Sequence, residues 1–239
     1  MTASHVAIEV RRLSKRFGRR LVLDQIDLQV AAGESVVLTG PNGAGKTTLL
    51  CAMAVLVRPT SGEVLWFGEK AAGRHADRRL IGMVAHENRL YPHLTLRENL
   101  IFAARMCDVD RPQDRAELLL ETVGMLAHGD RTPPVLSKGM RQRLSLARAL
   151  IHDPPILLLD EPFEGLDLDA ANWLTTLLQE LRQRGRTLCF VLHDEARTRL
   201  LADRVLHLHQ GRLMQVAVGP AAVAHWSPAD QGSTVVHAA

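Results

Sequence analysis

Apolar and polar residues alternate through Leu21–Val30, with Leu21, Leu23, Ile26, Leu28 and Val30 on the apolar side. A period of two predicts a half-buried strand. Val6–Val10 reads as a strand ahead of it, and Val64–Phe67 as another after the turn Pro59-Thr60-Ser61-Gly62. Uninterrupted apolar runs at Val36–Thr39, Ile81–Val84, Ile156–Leu159, Leu188–Leu192 and Val205–Leu208 predict strands covered on both faces. Helical spacing takes over from Lys46 to about Val57 and across Leu96–Leu126, where Leu118, Leu119, Thr122, Val123 and Leu126 recur on one side. It returns at Lys138–Ile151, which stops before Pro154-Pro155, and from Asp169 to about Arg184. A turn at Gln210-Gly211 closes the series. Strands alternating with helices imply an α/β core with a mainly parallel sheet. The helix-rich middle, about residues 87–153, reads as an insertion into that core, and 216–239 as a weakly structured tail behind a domain spanning 1–215.

Composition narrows the reading. At 46% hydrophobic and 23% charged, the chain has enough apolar material for a packed core. Its net charge of +3 does not argue for nucleic acid, and 5 Phe, 3 Trp and 1 Tyr are poor material for stacking bases. Cys51, Cys107 and Cys189 share no metal-site or disulfide-framework spacing, which suits a reducing compartment. Spanning a membrane takes about 20 mostly apolar residues, and no such run is present. With no signal-like N-terminus either, the expectation is a cytoplasmic chain. The run Arg11, Arg12, Lys15, Arg16, Arg19, Arg20 is read as solvated surface.

Chemistry enters at Gly40-Pro41-Asn42-Gly43-Ala44-Gly45-Lys46-Thr47, with Thr48 following, between a predicted strand and a predicted helix. Glycines let backbone N–H groups turn inward around phosphate oxygens, and the helix N-terminus adds positive potential. Lys46 can then reach the β- and γ-phosphates and the Thr47 hydroxyl can ligate Mg²⁺. Ile156–Leu159 ends in Asp160-Glu161, at the strand edge where open α/β sheets bind ligands. Asp160 suits a Mg²⁺ ion held through water, and Glu161 an attacking water. An ATPase or a GTPase follows.

Further segments add a resemblance. Leu136-Ser137-Lys138-Gly139-Met140 precedes Leu159-Asp160-Glu161-Pro162, and Gly165-Leu166-Asp167 and Val191-Leu192-His193-Asp194 come after. In that order and spacing, over roughly residues 6–215, the chain resembles the nucleotide-binding subunit of ABC transporters. The resemblance implies a P-loop NTPase (RecA-like) core, an N-terminal antiparallel β subdomain and an inserted helical subdomain. It implies ATP as the nucleotide. Phe17 would stack on adenine, unless it is an ordinary core aromatic. Ser137 and Gly139 would contact the γ-phosphate bound by a second protomer, Asp167 would lie in the loop crossing that interface, and His193 would touch the γ-phosphate. His207 and His209 are read as structural, Glu164 and Asp169 as solvated.

Two positions depart from the family pattern. Lys138-Gly139-Met140 stands where Gly-Gly-Gln is usual, and His86 stands where a glutamine senses Mg²⁺. Imidazole suits that hard cation poorly, so His86 would act through water or Glu87 would supply the oxygen. One phosphate loop and one signature loop per chain imply a dimer of identical copies enclosing two ATP molecules. A separate membrane permease would join at the joint containing Tyr91 and Leu94, placing the subunit on the inner face of the membrane. The segments around Ala85-His86, Leu90-Tyr91 and Ser137–Arg143 are similar to the ATPase of the cytochrome c-maturation haem exporter. A drug, lipid or polysaccharide exporter is the alternative within the class. Permease-free ABC ATPases of DNA repair or ribosomes form another class, but the repair type carries a long coiled coil where only 91 positions separate Lys46 from Ser137.

Overall fold

The computed structural model describes residues 6–72, 77–85 and 90–218. Strands β1 (Val6–Phe17) and β2 (Arg20–Ala31) form an antiparallel hairpin. β1 outruns its predicted end at Val10 because two bulges break the alternation. Arg12 and Gln25 both take positive φ, at 45° and 48°. Each inserts one extra residue, so that Val10 and Leu13 on β1, and Leu23 and Ile26 on β2, all turn inward. β1 also pairs with β4 (Ser61–Trp66), and β4 with the short β5 (Glu69–Lys70), giving a four-stranded antiparallel sheet in the order β2-β1-β4-β5.

The second sheet has six strands: β3 (Ser35–Thr39), β6 (Ile81–Val84), β7 (Ile156–Asp160), β8 (Thr187–Val191), β9 (Arg204–His209) and β10 (Arg212–Val218). Their order is β10-β9-β3-β8-β7-β6. All neighbours are parallel except β9 and β10, which a two-residue turn with positive φ at Gln210 and Gly211 joins as a hairpin. β10 was not foreseen, and it takes up residues 216–218 that the sequence assigned to the tail; the rest of that tail lies outside the described residues. The outcome is the α/β P-loop fold expected, with a mainly parallel sheet.

This sheet separates two cores. Ile156, Leu158, Cys189, Val191, Val36 and Leu38 face α1 (Lys46–Met53) and the antiparallel sheet. Leu157, Leu159, Leu188, Phe190 and Val37 face the other way, toward α2 (Leu96–Met106), α3 (Pro112–Thr122), α4 (Lys138–Ala149) and α5 (Leu168–Gln183). Burial of each such Leu or Val contributes about 1.5–3 kcal/mol, so strands covered on both sides anchor the fold. Trp66, fully buried, donates its indole N–H to Met53 O at 2.9 Å and so ties the antiparallel sheet to α1.

Three helix ends differ from expectation for local reasons. α1 stops at Met53 because Val55 turns left-handed and the Leu56 and Val57 N–H groups both return to Cys51 O. The run Leu96–Leu126 splits where Asp108 and Arg111 take positive φ and Pro112 opens α3. α6 (Glu195–Leu201) was missed, although Asp194 caps it by accepting from Arg197 N at 2.9 Å. Inside α2, Asn99 is fully buried and holds the segment just before that helix. It accepts from Tyr91 N and donates to the carbonyls of Tyr91, Leu94 and Thr95, all within 3.1 Å.

Candidate functional site

Three adjacent parallel strands, β3, β8 and β7, end side by side, and each delivers part of one site. The loop 40–45 leaves β3 and opens α1. Gly40, Gly43 and Gly45 all have positive φ (136°, 78° and 107°). At Gly40 a Cβ would overlap the Leu208 carbonyl oxygen of β9, so the loop lies directly on the next strand. α1 has no side-chain cap at its N-terminus, leaving its first N–H groups to whatever fills the loop.

Lys46 is buried, and its Nζ donates to Gly40 O at 2.8 Å and Pro41 O at 3.1 Å. Burial pushes its pKa down, while Glu161 and then Asp160 pull it up. A cation braced inside an uncapped helix start fits a phosphate chain. Thr47 is exposed and Thr48 half-buried in the same first turn.

Asp160 ends β7 almost fully buried. Its oxygens and the Thr47 hydroxyl are the hard donors that Mg²⁺ takes, so the donor set fits that ion. Glu161 follows in the left-handed region, φ 49°, with its N–H on Val191 O at 3.2 Å. A non-glycine residue held there stores strain that surrounding structure must fix. The conformation brings Glu161 Oε1 to 3.3 Å from His193 Nε2, just beyond β8. Loop Asp160–Asp167, the start of α6 and loop 40–45 thus surround one point.

The remaining expected residues fall in three groups. Ser137 caps α4, its Oγ accepting from Met140 N at 3.2 Å, and Gly139 sits in that helix's first turn. Asp167 caps α5, accepting from Ala170 N at 2.8 Å. Phe17 is 51% exposed, with Lys15 Nζ 4.8 Å from its ring centroid, which removes the core-aromatic alternative. A cleft of about 310 Å³ lies between Arg20 and Val22 of β2, Pro41 and Ala44 of the loop, and the Gln210 turn. His86 and Glu87 lie outside the described residues. Tyr91 is exposed and packs edge-on against Phe102, centroids 4.9 Å apart, while Leu94 is half-buried.

His207 is buried on β9, 3.3 Å from Thr39 Oγ1, whose own proton goes to Leu206 O at 3.1 Å. Among the described residues no group of three or more His, Cys, Asp or Glu could hold a metal. Glu164 and Asp169 are exposed as expected, and Glu164 Oε1 lies 3.6 Å from Lys138 Nζ. Sequence reasoning also missed Gln142, which donates to Pro162 O at 3.0 Å, and Arg197, whose guanidinium lies 4.9 Å from the Phe163 ring centroid. For Arg197 a signal existed, a cap residue three positions earlier; for Gln142 none did.

A phosphate loop on β3, paired carboxylates on β7 and a histidine after β8 define a P-loop nucleotide-binding ATPase. The ABC transporter family model matches residues 23–164, and the chain belongs to that family, whose members hydrolyse ATP. A spermidine/putrescine import ATP-binding protein of Lawsonia intracellularis is 36% identical over 219 residues, covering 90% of this chain and 60% of the relative. A sulfate/thiosulfate import ATP-binding protein of Caulobacter vibrioides is 40% identical over 224 residues, covering 88% and 64%. A probable sulfate/thiosulfate import protein of Chlorella vulgaris is 38% identical over 214 residues, covering 88% and 91%. The chain spans about 60% of the length of the first curated relatives it matches. An ATP-binding cassette solved as a dimer in a post-hydrolysis state with ADP and phosphate superimposes with TM-score 0.79 at 30% identity, covering 86% of this chain and 96% of that one.

These relatives correct the expectation of a haem exporter. They are import subunits, so the likeness around Ala85-His86 and Ser137–Arg143 does not carry export or haem specificity.

Proposed function

We propose that the chain is the ATP-hydrolysing subunit of an ABC importer, working as a dimer on the inner face of a membrane through a separate permease. The observation that supports it most is the Glu161–His193 pair at 3.3 Å beside the braced Lys46. Lys46 holds the β- and γ-phosphates, and Gly40, Pro41, Asn42, Gly43, Ala44, Gly45 and Thr48 shape the loop around them. Thr47 and Asp160 hold Mg²⁺, which when bound neutralises charge developing on the phosphates. Glu161 orients the attacking water and takes its proton, and His193 donates to the γ-phosphate. Phe17, at the turn end of the β1–β2 hairpin, stacks on adenine. Ser137 and Gly139 of a second copy cover the γ-phosphate, and Asp167 lies at that contact.

Import is favoured over export by the direction in the names of the relatives above. No described helix is long and apolar enough to cross a membrane, which agrees with a permease on another chain. Tyr91 and Phe102 form the apolar surface offered to it.

The test is a pull-down from native membranes with Glu161→Gln, which holds the ATP-closed dimer, followed by mass spectrometry. Recovery of a polytopic permease with a solute-binding protein supports import. Recovery of cytochrome c-assembly factors returns the export reading. Ribosomes or DNA-repair proteins without a membrane protein overturn the transporter role.

A further inference from the structure

Residues 161–167 form a strap gripped on both sides within one chain. On one side stands α4. Gln142 Nε2 donates to Pro162 O at 3.0 Å, directly after Glu161. One turn earlier Lys138 roofs Gly165, where an ideal Cβ would meet Lys138 Nζ at 2.6 Å and Cδ at 2.7 Å. Gly165, at φ 65°, therefore answers both to its own backbone and to the lysine above it. The ammonium faces Glu164 Oε1 at 3.6 Å. Leu166 and Ala170 close against Gly139, at 3.8 and 3.6 Å from its ideal Cβ. On the other side stands α6, where Arg197 lies over Phe163 and pairs with Asp194, next to His193.

Charge explains why Lys138 holds the strap. The first turn of α4 contains no acid, yet it begins with a lysine at the positive end of the helix. A cation there is disfavoured unless a neighbour supplies the opposite charge, and Glu164 supplies it. The lysine's methylenes then lie along Gly165, so the side chain spans from the signature helix to the strap.

We infer that Lys138 and Gln142 are positioning residues that lock each chain's signature loop to its own Glu161. The inference rests on the dimer proposed above, in which the signature loop of a chain serves its partner's nucleotide while its carboxylate serves its own. Seating Ser137 and Gly139 on the partner's nucleotide moves α4, and the strap passes that displacement to Glu161 in the other site. The two sites are thereby coupled, and ATPase rate rises with ATP more steeply than a single-site curve.

The experiment compares wild type, Lys138→Ala, Gln142→Ala and the charge swap Lys138→Glu with Glu164→Lys. ATPase rate is measured against ATP, and ATP-dependent dimerisation by sedimentation in the Glu161→Gln background. A wild-type Hill coefficient above 1 is expected, falling to about 1 in both alanine variants while the closed dimer still forms, and recovering in the charge swap. An unchanged coefficient in both alanine variants overturns the coupling, as does a wild-type value of about 1 in a chain that does dimerise. A chain that stays monomeric with ATP overturns the dimer itself, and the coupling with it. Circular-dichroism melting of each variant separates these outcomes from misfolding.

Discussion

His193 Nε2 stands 3.3 Å from Glu161 Oε1, joining the segment after β8 to the segment after β7 across the mouth of the nucleotide site. A carboxylate held this way at a left-handed residue is aimed by its surroundings. Glu161→Gln should keep ATP binding within about threefold and lower turnover at least about 100-fold, the usual scale for a general base. Single-turnover hydrolysis with fluorescent-nucleotide binding checks both, and turnover close to wild type would remove Glu161 from the chemistry.

Lys46 should be needed for binding itself. Removing it strips the loop of its cation and leaves the Gly40 and Pro41 carbonyls without their donor. Lys46→Ala should weaken ATP binding by more than about tenfold. Calorimetric titration with ATP measures it, and equal affinity would mean the phosphates bind elsewhere.

Gly40→Ala tests the contact between the loop and β9. With φ at 136° and the Leu208 carbonyl where the methyl group would go, backbone must shift. The expected loss is about 2–4 kcal/mol of stability, together with nucleotide binding. A melting temperature equal to wild type would show that the strand and loop can separate without cost.

How much of this was legible follows from where the information is stored. Lys46, Asp160 and Glu161 could be placed from the chain alone, because a phosphate loop and a strand ending in carboxylates are local patterns. So could the doubly covered strands β3, β7 and β8, whose apolar runs have no polar interruption. The two bulges were hidden, because an inserted residue looks the same as the end of alternation: Val10 to Leu13 skips a position. The grip of Gln142 on Pro162 was hidden for a different reason, since it joins residues 20 apart through a side chain with no pattern of its own. The expectation of export, drawn from signature-loop variants, runs against the import names of the relatives.

His207 gives a pH prediction. Burial first, then His209 and Lys46, hold its pKa below the ordinary 6.5. The unfolded chain therefore binds this proton more readily than the folded one. The associated stability is present in full above 6.5 and is lost as pH falls through the lower folded value. His207→Asn should flatten the decline of melting temperature as pH falls below 6.5. Parallel declines would assign the acid sensitivity to other groups.

Asn99→Ala separates stability from coupling. Four hydrogen bonds to backbone are lost inside a fully buried site, at a cost of about 2–4 kcal/mol. The loop bearing Tyr91 is freed, so ATPase of the isolated chain should survive at permissive temperature while stimulation by a permease falls. Equal stimulation in reconstituted vesicles would show that this loop does not need its clasp.

The six-stranded sheet has one further consequence. Because successive residues of β7 face opposite cores, the strand is a bulkhead whose two sides can be loaded independently. A truncation at Leu158 weakens the compartment that backs α1, and one at Leu159 weakens the compartment under the helices, yet both disturb the same Asp160 at the strand's end. Damage from either chamber converges on that strand end, so truncations on opposite faces of β7, packing against different cores, should produce the same defect in turnover.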